Sequence, residues 1–391
     1  MPNNSSNFFD QPRNHSLIKL RVFEDTLKLA LAIAGRISGL SEFGNSFCYI
    51  DLFAGQGKYS DGTLGSPIIA LETCNRQIEN SNNKLTKIDL ILVEKDESNT
   101  IKLKENISDY IESDVNSKVS VEIISDEWEL AIPKIKKKLS VSDWGFVFAD
   151  PFSTELNISH FENAFKLFSD LKDYLILFNF QALRRLMGGD KVCQNIIEKC
   201  CGINIEDLDH SEKGFRKIQE SIRNKLNFKK YATGVAITSS RKEKLLISDF
   251  FFLVLATSSF AVINGFLDTY EKIIIEIKQS QTQRSLPFEP DESNELLQKI
   301  ITVLKEQSPI SYEEMAMQLH NSFISWKRAL QFLRYTIPNS KNINDALYRL
   351  YSEGKVRISA SENLFYRRTK GKLKIVKTNS AARKIQIRYT G

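Results

Sequence analysis

Tyr49-Ile-Asp-Leu-Phe-Ala-Gly-Gln-Gly57 is the stretch on which the fold of this chain turns. Together with Phe47 and Cys48 it forms a short apolar, aromatic-rich run stopped by Ala54-Gly-Gln-Gly57. Such a run reads as a buried parallel strand that delivers the chain into a tight turn. Asp51 lies just before the turn. Gly55 and Gly57 lack the Cβ that would hinder the turn or keep the backbone away from a ligand.

Outward from this strand the pattern repeats. Upstream, residues 16–38 carry Leu17, Leu20, Phe23, Leu27, Leu31, Ile33 and Ile37 at helical spacing, which predicts a long amphipathic helix ending near Gly39. Downstream, a helix is expected over 66–78, a strand at Ile88–Val93 ending on Glu94, and a helix over 97–112. Then come a strand at Val119–Ile124 ending on Asp126, a helix over 127–139, and a strand at Trp144–Ala149 ending on Asp150. Strands that alternate with helices require crossover connections, so the fold class is α/β: a Rossmann-like, mostly parallel sheet with helices on both faces. Further strands are expected at Tyr174–Phe178, Phe251–Ala256 and Lys272–Ile277, and residues 181–240 read as a mostly helical insertion.

The remainder reads as a second module. Pro287 and Pro290 mark a linker over 281–291. Amphipathic helices are expected over 293–306, 312–320, 324–335 and 342–353, followed by strands at Lys355–Ser359 and Leu364–Arg368. Helices followed by a basic hairpin read as a winged-helix-like module over 292–370, with a basic tail over 371–391; the first domain then spans 1–280. The net charge is +6, but residues 286–391 hold 18 basic against 10 acidic side chains, so the excess is C-terminal. Arg357, Arg367, Arg368 and Lys370 are the expected contacts to a polyanion, RNA or DNA.

Composition excludes several classes. No window reaches about 18 consecutive apolar residues, so no membrane span is expected. The opening Met-Pro-Asn-Asn-Ser-Ser has no secretory order, and five scattered cysteines without a CxxC pair fit a reducing compartment, so the expected address is the cytoplasm. Four histidines without HxxxH spacing predict no metal site.

Asp51, Glu94, Asp126 and Asp150 all stand at strand ends, where open parallel sheets bind ligands. Glu94 is placed to accept the two hydroxyls of a ribose and Asp126 the amine of an adenine, with Trp128 beside the ring. Phe53 and Ala54 complete the cofactor turn. The third glycine of a dinucleotide fingerprint is Ser60, and the next strand-end acid stands 37 residues beyond Gly57, which disfavours NAD. A phosphate-binding Gly-x-x-x-x-Gly-Lys-Ser/Thr is absent. S-adenosylmethionine (SAM) carries no phosphate and tolerates Asp51 beside the turn.

The longer stretch Tyr49-Ile-Asp-Leu-Phe-Ala-Gly-Gln-Gly-Lys-Tyr-Ser-Asp-Gly-Thr-Leu-Gly-Ser-Pro67 resembles the first motif of the three-Cys-motif partner proteins. Leu92-Val-Glu-Lys-Asp96, Phe148-Ala-Asp-Pro-Phe152 and Phe251-Phe-Leu-Val-Leu-Ala-Thr257 continue the likeness, and His15 and Lys19 sit where that family often has an N-terminal His/Lys helix. Gln56 and Ser153 depart from its usual proline and glycine. The resemblance implies a class I SAM-dependent methyltransferase fold, SAM as cofactor, a partner protein that bears the three-cysteine motif, and occurrence in bacteria and mobile elements. Asp150-Pro-Phe152 is also similar to the catalytic motif of amino-methyltransferases, which implies that Asp150 and the carbonyl after it accept the hydrogens of a base's amine while Phe152 stacks on the ring. Three readings stay open: an N-methyltransferase acting on nucleic acid, a SAM-binding but catalytically silent subunit that recognises nucleic acid or a partner protein, and a methyltransferase of proteins or small molecules.

Overall fold

A computed structural model of the chain describes residues 14–38, 44–80, 82–111, 118–139, 144–152, 154–166, 172–186, 189–203, 212–240, 247–281, 290–323, 340–359 and 385–390. The chain divides into two compact units, one of residues 1–232 with 236–258, the other of 233–235 with 259–391.

In the first unit the expected alternation is present. Helix α1 (Asn14–Ile37) precedes β1 (Ser46–Asp51), α2 (Ser66–Ile78), β2 (Lys87–Glu94), α3 (Glu97–Ser108), β3 (Val119–Ser125), α4 (Trp128–Lys138) and β4 (Trp144–Ala149). Then follow α5 (Ile158–Phe165), β5 (Lys172–Asn179), α6 (Phe180–Leu186), α7 (Lys191–Cys201), α8 (Glu212–Lys225), β6 (Tyr231–Ser240) and β7 (Ile247–Thr257). The seven strands form one sheet in the order β3-β2-β1-β4-β5-β7-β6. Strands β1 to β5 run parallel and β7 runs antiparallel to β5. This is a Rossmann-like sheet of the class I methyltransferase type: the chain starts at β1 in the middle, winds out to β3, then returns to build β4 and β5 on the other side. The order reverses between β1 and β4, and that crevice at the strands' carboxyl ends is where such sheets take ligands.

Packing explains why the central strands read as continuous apolar runs: β1, β2 and β4 are buried along nearly their whole length. On one face, Phe23 of α1 lies 4.5–6.3 Å, ring to ring, from Tyr49, Phe146 and Phe148. Phe161 of α5 closes on Phe165, Tyr174 and Trp128 in a second cluster. Fully burying one such ring is worth about 1.5–3 kcal/mol.

One expectation is bounded and one corrected here. The span 181–240, expected to be mostly helical, carries α6, α7 and α8 and then ends in Tyr231–Ser240, strand β6 at the sheet edge. The run Lys272–Ile277 is no strand but part of α9 (Phe260–Gln281). Its β-branched composition favours a strand, yet Val262, Ile263, Phe266, Leu267, Tyr270, Ile273 and Ile274 bury one helical stripe, and that longer pattern overrides local propensity.

Beyond α9 the second unit comprises α10 (Pro290–Gln307), β8 (Ile310–Ser311), α11 (Tyr312–Phe323), α12 (Ser340–Ser352), β9 (Val356–Ser359) and β10 (Gln386–Tyr389). Strand β10 sits between β8 and β9, antiparallel to both. Residues 386–389 therefore form a central strand although they read as tail, because Ile387 alternates with polar neighbours and is fully buried. The core of this unit is built from Leu297, Ile300 and Leu304 of α10, Met315 and Leu319 of α11, and Ile343, Leu347 and Leu350 of α12, all buried. The helix expected over 324–335 and the strand expected at 364–368 lie outside the described residues.

Candidate active site

The site begins with the turn after β1. Gly55 and Gly57 adopt φ of 62° and 78°, the left-handed region that side chains disfavour. The chain then makes a small hairpin in which Lys58 bridges to Leu64 and the Tyr59 amide donates to the Thr63 carbonyl at 2.8 Å. Gly65 closes it, donating its amide to the Gly57 carbonyl at 2.8 Å, and α2 starts at once with Pro67 in its first turn. Asn106 of α3 donates to the Gln56 carbonyl at 2.8 Å and holds the turn from the other side.

Because β3, β2, β1 and β4 are parallel neighbours, their terminal acids line one rim in the order Asp126, Glu94, Asp51, Asp150. Glu94 is buried and accepts the Gly55 amide at 2.8 Å on one oxygen and the Asp96 amide at 2.9 Å on the other. Asp51 is fully enclosed. It accepts hydrogen bonds from the Ser66 hydroxyl at 2.7 Å, the Phe53 amide at 3.1 Å and the Tyr49 hydroxyl at 3.1 Å. Burial pushes its carboxyl up to about 6, against those three donors, which favour the anion. Asp51 thus fixes the turn and sets its field from behind. Ala54 is buried and donates its amide to the Val93 carbonyl at 2.9 Å.

Asp126 accepts the Glu127 amide at 3.0 Å and pairs with Lys134 at 3.3 Å. The neighbouring Trp128 ring is buried, tilted on Phe161 at 6.3 Å between centroids. Asp150 follows β4, with Pro151 buried and the Phe152 side chain 57% exposed. One Asp150 oxygen, Oδ2, forms an ion pair with Lys19 of α1. Its other oxygen has no hydrogen-bond partner among the described residues. Sequence reasoning placed Lys19 only by likeness and did not find its tie to Asp150; the available signal was a lysine one turn before Phe23 in an apolar stripe.

In the second unit, β9 and β10 alternate cleanly. Val356, Ile385 and Ile387 are buried, whereas Arg357 and Arg388 are exposed and stand directly opposite each other in the ladder. Neither has an ion-pair partner among the described residues. Like charges directly opposed destabilise a sheet by about 0.2–1 kcal/mol. Arg367, Arg368 and Lys370 lie outside the described residues.

Among the described residues no group of His, Cys, Asp and Glu can hold a metal ion, and no helix is long and apolar enough to cross a membrane. All five cysteines are free thiols, and four of them are buried.

No protein-family model and no curated protein sequence matches the chain. Solved structures that it resembles include protein LPL1258 from Legionella pneumophila, at 12% identity over 65% of this chain and 91% of that one, with a TM-score of 0.33. The plantazolicin methyltransferase BamL, solved with a triazolic desmethylPZN analog and SAH, shares 12% identity over 63% and 87%, TM-score 0.30. The hMettl16 catalytic domain, in complex with MAT2A 3′UTR hairpin 6, shares 8% over 64% and 73%, TM-score 0.29. Likenesses of this size carry no argument about chemistry. The assignment of fold rests on strand order and direction.

Proposed function

We propose that this chain is a SAM-dependent N-methyltransferase that acts on nucleic acid. The observation that carries the reading is the pairing, on one rim, of a ribose-ready carboxylate with an open one. Glu94 spends one lone pair of each oxygen on a backbone amide, and a carboxylate has about four such sites, so capacity remains for two ribose hydroxyls. Asp150 keeps one oxygen for a substrate hydrogen, next to the exposed ring of Phe152. Bound at this rim, SAM supplies a methyl group already activated for displacement. The protein's task is then to hold the amine in line with it, with Asp150 accepting an amine hydrogen and Phe152 stacking on the base.

The second unit supports a nucleic-acid substrate. Its described order of helix, short strand, two helices and two antiparallel strands, with β10 between β8 and β9, supports a winged-helix-like module. Arg357 and Arg388 give its sheet a cationic face suited to phosphate. By the resemblance described above, a protein bearing a three-cysteine motif joins this reading as partner, and the cytoplasm is the address expected for this chain.

The test combines calorimetric titration with SAM and transfer of labelled methyl from SAM to RNA and to DNA. Asp150→Ala abolishes transfer and leaves SAM affinity within about two-fold, whereas Glu94→Ala weakens SAM binding by about ten-fold or more, or about 1.4 kcal/mol. If Asp150→Ala loses both properties together, Asp150 is structural and the reading fails.

A further inference from the structure

The face of β4 that α1 covers carries Phe146, Phe148 and, two residues on, Asp150. The stripe of α1 that meets it carries Phe23 and, one turn earlier, Lys19. The helix and the strand therefore zip together through rings and then, one step past the strand end, through an ion pair. Lys19 is the more enclosed partner, its side chain 10% exposed against 21% for Asp150. Burial by itself would lower the lysine's pKa, but Asp150, Tyr59 and Asp51 around it outweigh that and raise it, so the ammonium is kept. A buried ammonium beside a carboxylate takes one oxygen and fixes the plane of the other.

We propose that Lys19 is a positioning residue for methyl transfer: by clamping Oδ2 of Asp150 it aims Oδ1 at the substrate amine. This rests on the reading of Asp150 given above. Without the clamp, the carboxylate rotates about its own side-chain bonds and can turn both oxygens to water, which costs alignment rather than cofactor binding. The N-terminal helix, remote in sequence from the strand-end acids, is then part of the reaction's geometry. Misalignment of about 1 Å in such a group lowers rate by up to about a hundred-fold.

The full-length protein, Lys19→Gln and Lys19→Arg are compared with tritiated-methyl SAM and total cellular RNA or heat-denatured DNA, alongside calorimetry with SAM and thermal melting. The expected result is a kcat at least about ten-fold lower in Lys19→Gln, with SAM affinity within about two-fold, and recovery to within about three-fold of the parent in Lys19→Arg. Unchanged turnover in a folded Lys19→Gln overturns the proposal, since the pair then merely anchors α1. Equal losses in turnover and SAM affinity also overturn it, because Lys19 would be a cofactor ligand. Should Lys19→Gln not fold, a folded Lys19→Arg that is about ten-fold or more slower does the same. A parent protein that labels neither RNA nor DNA sinks the methyltransferase reading itself, an outcome separate from the other three.

Discussion

Asp51 illustrates how one residue can favour the site at the expense of the fold. Its carboxyl is pushed from 3.8 to about 6 by burial, so near neutral pH the native state carries a desolvated anion. The difference of roughly two pH units amounts to about 3 kcal/mol of destabilisation above pH 6. Between about pH 4 and 6 the folded protein binds this proton and the unfolded chain has already released it. Stability from this group is therefore greatest below about pH 4 and declines as pH rises through about 6. Asp173, half-buried and likewise raised to about 6 by desolvation, acts in the same direction. In urea titrations at about pH 5 and about pH 8, the wild type should gain on Asp51→Asn at the lower pH; a gap that does not change with pH argues against the account. By the same sign, binding of a cationic cofactor near this turn should weaken as pH falls below about 6, because the field from Asp51 is then neutralised.

At the scale of the element, the link from β1 to α2 explains why a long glycine-containing motif is needed where two glycines would make a turn. A Cβ on Gly65 would stand 2.9 Å from the Gly57 carbonyl oxygen, which itself accepts the Gly65 amide. Neither atom is the end of a flexible side chain, so the hairpin or the start of α2 must move. Gly65→Ala should cost about 1–3 kcal/mol in urea unfolding and, on the proposed reading of this turn as the cofactor turn, weaken SAM binding as well. A variant with unchanged melting and unchanged SAM affinity would show that the turn tolerates displacement. The opposite lesson comes from α9, where the short apolar run Lys272–Ile277 resembles a strand but belongs to a 22-residue helix. Short β-branched runs carry too little information to choose between the two periods.

At the scale of the whole molecule, each unit closes its own core, and among the described residues Arg357 and Arg388 stand on the exposed face of the second unit's sheet. Replacing both Arg357 and Arg388 with glutamine should reduce the slope of log affinity against log salt by about 1.5–2 for RNA or DNA, if each neutralises about one phosphate. Filter binding between about 50 and 200 mM salt measures this. An unchanged slope would remove the arginine face from the interface. The substitution relieves a like-charge pair, so lower stability is not the expected cause of any loss.

The sequence by itself determined the alternation of β1 to β4 with their helices, the rim of four acids and the basic C-terminal excess. Each of these depends on patterns a few residues long: a buried strand is apolar throughout, a turn with positive φ calls for glycine, and an acid at a parallel strand's end has only one edge of the sheet to occupy. What only the tertiary structure decided concerns partners far apart in the chain. Lys19 meets Asp150 across 131 residues, and β10 enters between β8 and β9 from a stretch that composition marks as tail. It also took the packed molecule to bury Trp128 against Phe161 and to enclose Asp51 behind its turn. Local periodicity specifies which face of an element is apolar, but the long-range choice of what covers that face depends on packing summed over the whole core.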